Sequence, residues 1–222
     1  MVQAVTHALF DLASNPEYLK PLKEEVEEVT NREGWTKAAL DQMCKVDSFV
    51  KESQRFRPTS TCKSVLDSNS IFPLILTMIF EVLMGRYALL DFTFSDGTFI
   101  PAGTIISVPS DDVQLDPQTY EDPLTFDGFR FIKMKERAAL QGYSDKNYDV
   151  VTVNSEFVAF GQGRHACPGR YFASAEIKLV LAHIVSTYDV KLVDDVRPPD
   201  SYFMNGIQPN SAAKLYFRKR QN

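Results

Sequence analysis

Cysteine is scarce in this chain. Its three residues, Cys44, Cys62 and Cys167, are odd in number and far apart. No C-x-x-C pair occurs, which removes a disulfide framework and fits a reducing compartment. Cys44 and Cys62 read as passive. Positive charge is also in the minority: 24 Lys and Arg against 29 Asp and Glu leave a net charge of −5. That balance gives no footing for nucleic acid, and Arg218-Lys219-Arg220 reads as a solvated tail. Long apolar runs are missing as well. The longest, Ile71 to Phe80, contains Pro73 and Thr77 and is too short to cross a bilayer. Met1 to Phe10 lacks the basic start and long apolar core of a signal peptide. There is no internal repeat, no low-complexity tract and no G-x-S-x-G nucleophile elbow. His7 and His183 fall within helical stretches and read as packing or surface residues.

What is present is ordinary in bulk and unusual in one place. Hydrophobic content of 44% and charged content of 24% over 222 residues suit one soluble domain with a real core. The unusual place is Phe160-Gly161-Gln162-Gly163-Arg164-His165-Ala166-Cys167-Pro168-Gly169. After it, Ala173, Ile177, Val180, Leu181, Ile184 and Val185 recur at helical spacing. Pro168 then reads as the first residue of a helix, where its missing N–H is harmless. Cys167 would stand at that helix N-terminus, where partial positive charge favours a thiolate. Gly161 and Gly163 would let backbone N–H groups approach a flat ligand and the sulfur. The plain alternative is a buried, inert cysteine. A cysteine nucleophile paired with His165, two residues away, is a poorer reading.

The preceding chain reads as helices. Val2, Val5, Leu9 and Leu12 mark one amphipathic face, and Asn15-Pro16 marks a break and a new cap. Leu19, Leu22, Val26 and Val29 line the next helix, with Pro21 expected to kink or shorten it. Glu24, Glu25, Glu27 and Glu28 read as its solvated side. Thr36 can cap a short helix ending near Lys45, and Asp47 can cap another. That last helix carries Glu52 and Arg55 at i, i+3, which alone could be a surface pair. Asp91–Phe94 and Thr98–Ile100 flank Ser95-Asp96-Gly97 as a hairpin, and Thr104–Val108 reads as another strand. Residues 133–152 read as polar and irregular, 201–209 as a loop with a turn at Asn205-Gly206, and Lys214–Arg218 as a closing strand.

The decamer resembles the haem-binding loop of the cytochrome P450 family, Phe-x-x-Gly-x-(Arg/His)-x-Cys-x-Gly. Phe160, Gly163, His165, Cys167 and Gly169 stand at its fixed positions. The resemblance implies haem b as cofactor, bound by Phe160, Gly161, Gly163, His165, Cys167 and Gly169. Cys167 would be the axial thiolate of the iron, Phe160 would pack beside the sulfur, and His165 would lie near a haem propionate. It also implies that Glu52, Arg55 and Arg130, the last in Phe126-Asp127-Gly128-Phe129-Arg130-Phe131, form a buried structural triad. The family commonly has His where Gln114 stands. Gly206, Ile207 and Gln208 correspond to a terminal loop that reaches the family's substrate pocket.

The implied fold is mainly α with a small β-sheet, the C-terminal part of a single cytochrome P450 domain over 1–222. Residues of about 59–82 depart from the family and read as an insertion or a translated intron. The implied function is a haem–thiolate monooxygenase inserting one oxygen atom from O2 into a small apolar substrate, such as a terpenoid. Its electrons would come from a NADPH-dependent flavoprotein reductase. The full-length family sits on the cytosolic face of the endoplasmic reticulum membrane, and no anchor is expected within this chain. The family's distal helices and its acid/alcohol pair would lie before Met1, with Phe10-Asp11-Leu12 resembling the tail of the central helix. The alternative is a non-catalytic, truncated remnant that binds haem weakly or not at all.

Overall fold

The structure is a computed structural model that describes residues 1–58, 84–143, 148–194, 196–203 and 206–221. The expected insertion, Cys62 and Asn205 lie outside the described residues. Helices come first: α1 (Val2–Ser14), α2 (Leu19–Glu33), α3 (Lys37–Gln42) and α4 (Cys44–Phe56). Then follow β1 (Arg86–Tyr87), β2 (Phe92–Thr93), β3 (Phe99–Ile100), β4 (Ile105–Ile106) and the short helix α5 (Ser110–Gln114). Helix α6 (Arg130–Leu140) precedes the glycine-rich loop, and α7 (Arg170–Thr187) follows it. The chain closes with β5 (Tyr188–Leu192), β6 (Ser201–Phe203), β7 (Gly206–Gln208) and β8 (Leu215–Lys219).

The core lies where α1, α2, α4 and α7 meet. Leu12, Leu22, Val26, Phe49, Leu181 and Val185 are all buried there. These residues recur at three- and four-residue spacing, so each helix turns one apolar stripe inward. The aromatic rings of Tyr120, Phe131 and Phe157 form a second, smaller cluster. It sits between α6 and the start of the glycine-rich loop.

The expected single small sheet is instead four antiparallel pairs among the described residues: β1–β4, β2–β3, β5–β8 and β6–β7. Each pair closes locally or between nearby segments, so no common sheet edge is extended. The hairpin β2–β3 turns at Gly97, whose φ of 90° needs a residue without Cβ. The stretch 201–209, expected as a loop, carries the hairpin β6–β7.

Several local expectations are corrected. Pro168 does not begin a helix: Gly169 is the N-cap and Arg170 the first residue of α7. A turn from the Arg170 N–H to the Cys167 carbonyl intervenes. Pro21 goes with the shorter helix of the two expected outcomes: α2 starts only at Leu19, after a 3-10 turn over Pro16–Tyr18. The proline sits in the first turn, where no acceptor is waiting for its N–H. Asn15 breaks the chain as expected, but its side chain donates back to the Asp11 carbonyl instead of capping forward. Thr36 does cap α3, accepting from the Ala39 N–H at 3.1 Å. Asp47 caps nothing on α4. Glu25 does that work, accepting from the Lys45 and Val46 N–H groups at 2.8 and 3.0 Å. It is therefore no part of a solvated face, and burial raises its carboxyl pKa. Residues 133–140 are helical, because Phe131 and Ala138 give α6 a buried side.

Candidate functional site

The loop from Phe157 to Gly169 is anchored at both ends. Phe157 is buried against Tyr120 and Phe131. The Val158 N–H donates to Gln114 Oε1 at 3.2 Å. Gly161 and Gly163, at φ 70° and 67°, then reverse the chain in a conformation that side chains with a Cβ resist. A short 3-10 turn over Gly163–His165 follows.

Cys167 is held through its backbone. Its N–H donates to the Phe160 carbonyl at 2.8 Å. Its carbonyl accepts from the Arg170 side chain (NH1) at 2.9 Å, and Arg170 Nε donates to the Val151 carbonyl at 3.1 Å. The thiol is thus left as the free end of a fixed residue. It borders a cavity of about 380 Å³, together with Phe160, Gly161, His165, Ala173 and Ile177. Gly163 and Gly169 stand on the same loop but do not line that cavity. None of the described residues lining it comes from β6–β7.

Beneath the loop, Glu52 and Arg55 are fully buried and form a two-point pair. Arg55 Nε donates to Glu52 Oε2 at 2.7 Å, and NH2 to Oε1 at 2.8 Å. Arg130 Nε donates to the same carboxylate at 3.1 and 3.2 Å. Five further guanidinium N–H groups go to backbone: Arg55 to the carbonyls of Gln114 and Pro123, Arg130 to those of Glu121, Asp122 and Thr125. The fork geometry of Arg allows bonding in so many directions, which the single ammonium of Lys would not. Gly128 permits the 126–131 turn to approach α4, since a Cβ there would meet the Phe49 ring at 2.6 Å.

Three contacts that the sequence reading missed join this platform to the loop. Gln114 donates to the Arg55 carbonyl at 3.2 Å while accepting from Val158. Tyr120 donates to the Glu156 carbonyl at 2.9 Å, and burial pushes its phenol well above the usual range. Lys51 is buried, donates to the Asp149 carbonyl at 3.2 Å, and lies over the Phe131 and Phe157 rings. Burial lowers its ammonium to about 8. Gln114 stands where the family commonly has His, Tyr120 closes the stretch Asp116-Pro117-Gln118-Thr119-Tyr120 that resembles the family's approach to the second arginine, and Lys51 carries no motif.

A second buried polar cluster was also missed. Asp11 accepts from Ser53 Oγ, Arg57 NH1 and Arg197 Nε at 2.7, 2.8 and 2.7 Å. Asp200 accepts from Arg57 Nε and Arg197 NH1 at 3.0 and 2.8 Å. His7, expected as a packing or surface residue, is buried within this cluster. The hairpin β6–β7 docks here: Ile207 is buried, and its carbonyl faces His7 Nε2 at 3.3 Å and accepts from the Gln3 side chain. His183 is exposed and touches Trp35 and Tyr188 edge-on. Among the described residues, no helix is long and apolar enough to cross a membrane.

The chain is similar to known proteins over most of its length. The family model "Cytochrome P450" matches residues 1–65 and 76–217. The chain is 42% identical over 218 residues to Cytochrome P450 monooxygenase 151 of Postia placenta, covering 97% of this chain and 39% of that protein. It is 39% identical to Cytochrome P450 monooxygenase atmQ of Aspergillus flavus, covering 98% of this chain and 37% of that protein. It is likewise 39% identical to Cytochrome P450 monooxygenase ltmQ of Epichloe festucae var. lolii, covering 99% and 37%. The chain therefore spans about two-fifths of the length of the curated relatives it matches.

Proposed function

The chain belongs to the cytochrome P450 family, and from that premise we propose that it forms the thiolate side of a haem–thiolate monooxygenase, with Cys167 as axial ligand. The family's cofactor is haem b. The observation that carries the proposal is the Cys167 thiol at the edge of a largely apolar cavity, on a backbone fixed at both ends. The residues present fit the group. One soft ligand suits an iron that brings its other ligands in a macrocycle. Ala173 and Ile177 offer apolar contact, and Gly161, at positive φ, keeps the cavity edge free of a side chain where a flat ligand would approach.

Bound there, a thiolate-ligated haem would supply reductive activation of O2, one atom entering an apolar substrate and the other leaving as water. This chain's residues orient and support. Phe160 holds the cysteine N–H, Arg170 its carbonyl, and His165 stands at the cavity rim for a haem propionate. The Glu52, Arg55 and Arg130 triad supports the loop through Gln114, which bonds Arg55 on one side and the Val158 N–H on the other. We read the substrate as a small apolar molecule of terpenoid type. The electron donor would be a NADPH-dependent flavoprotein reductase at the endoplasmic reticulum membrane.

Haem-loaded protein reduced under carbon monoxide should show the red-shifted Soret band of thiolate ligation, and Cys167→Ser should abolish it. Persistence of the band in the variant would remove Cys167 as ligand. A second reading, a remnant without stable haem, is favoured by apolar side chains left in solvent: Phe172 on α7 is 74% exposed and Leu89 80% exposed. Failure of the 222-residue chain to show the band, where a chain as long as its relatives shows it, would support that second reading.

A further inference from the structure

The cluster around His7 contains an unused acceptor. His7 Nε2 faces the Ile207 carbonyl at 3.3 Å, and a carbonyl can only accept, so Nε2 carries the proton. His7 Nδ1 must then be the acceptor for Arg197 NH2, which approaches to 3.1 Å. The ring is neutral in this arrangement. Asp200 Oδ1 is buried, accepts no hydrogen bond among the described residues, and lies 3.5 Å from that same Nδ1. Two carboxylates, Asp11 and Asp200, balance two guanidiniums, Arg57 and Arg197.

We propose that His7 is a proton-operated latch that positions the terminal hairpin β6–β7 on helix α1. A proton on Nδ1 would end its role as acceptor for Arg197 and turn the ring into a donor toward Asp200 Oδ1. Arg197 would lose that contact and face a second cation. Asp200 would turn from the guanidiniums toward the ring. Since Asp200 directly precedes Ser201, the first residue of β6, the hairpin would shift with it. The charged groups facing His7 are Asp11 on its own helix and Arg197 and Asp200 ahead of β6, while Arg57, at the end of α4, holds the same two carboxylates. The Ile207 carbonyl faces it from β7. Burial already pulls the ring's pKa below its ordinary 6.5, with Arg197 adding to that and Asp200 opposing it. The latch is therefore closed at neutral pH and opens on acidification.

The test uses the 222-residue chain with nitrogen-15 histidine. Long-range proton–nitrogen spectra at pH 7.5 should show the Nε2–H form of His7, assigned against His7→Gln. Amide exchange over residues 197–203 and 206–208, corrected for intrinsic rate, should lose protection in the native chain progressively as the pH falls below 6.5. His7→Gln, which cannot titrate, should lose none. An Nδ1–H ring at pH 7.5, or an equal loss in His7→Gln, would overturn the latch. Should that variant not fold, Asp200→Asn removes the waiting acceptor and should move the opening to lower pH. An unmoved midpoint would also overturn it. Neither readout requires haem.

Discussion

Two clusters of buried charge draw on helix α4 and its C-terminal end, and they are built on opposite plans. Glu52, Arg55 and Arg130 gather two guanidiniums on one carboxylate, and five further N–H groups are taken up by the backbone carbonyls of five residues. Asp11, Arg57, Arg197 and Asp200 balance charge for charge, yet leave one carboxylate oxygen without a hydrogen bond beside a histidine. In the first both carboxylate oxygens are saturated and there is no histidine, so it has one arrangement. The second has one acceptor to spare and one ring that can use it, so it can exist in two arrangements. Residue types alone do not separate the two plans. The count of donors against acceptors does.

The comparison breaks most readily at Arg55. Arg55→Ala should cost roughly 3–5 kcal/mol, because it strands a buried carboxylate half-paired and leaves the Gln114 and Pro123 carbonyls without their donor. Urea unfolding measures this directly. A loss under about 1 kcal/mol would mean that the triad is redundant with the packing around it.

Asp11→Asn should cost less, about 2–3 kcal/mol. Asparagine keeps one oxygen for the three donors that reach Asp11 now, and Asp200 still holds both guanidiniums. A loss equal to that of Arg55→Ala would reverse the ranking and show that the balanced cluster carries more of the fold than the saturated one.

The two clusters also differ in how far the sequence announces them. Glu52 and Arg55 are one helical turn apart, and the loop around Cys167 is contiguous, so both are local patterns that a reader can see. Thr36 and the Leu22, Val26 and Val29 face are legible for the same reason. His7 and Arg197 are not, since their pairing spans nearly the whole chain and has no period. Glu25 looked like one of four surface acids until α4 came to rest over it. The helical stretch 133–140 was hidden because its buried side is thin, Phe131 and Ala138 among many charges. Spacing alone did not settle the helix ends, as Pro168 and Asp47 show, and Arg130, distant in sequence, was legible only through the family resemblance.

Lys51 supplies the smallest and most discriminating test, because it is a buried charge outside both clusters. Its ammonium sits between the Phe131 and Phe157 rings, at 4.4 and 4.7 Å from their centres, and burial draws it from 10.5 to about 8. Between those two values the unfolded chain holds a proton that the folded chain has released. Stability should therefore rise with pH across that window and be lost as pH falls through 8. Lys51→Met keeps the length, removes the charge and forfeits the ring and carbonyl contacts. The opposing terms should leave the net change at pH 7 within about 1 kcal/mol. The signature lies in the slope. Urea titrations at pH 7 and pH 9.5 should show the native chain gaining relative to Lys51→Met, since every other titrating group is common to both. Parallel curves would show that Lys51 stays charged in the fold, held by its rings as firmly as Arg55 is held by Glu52.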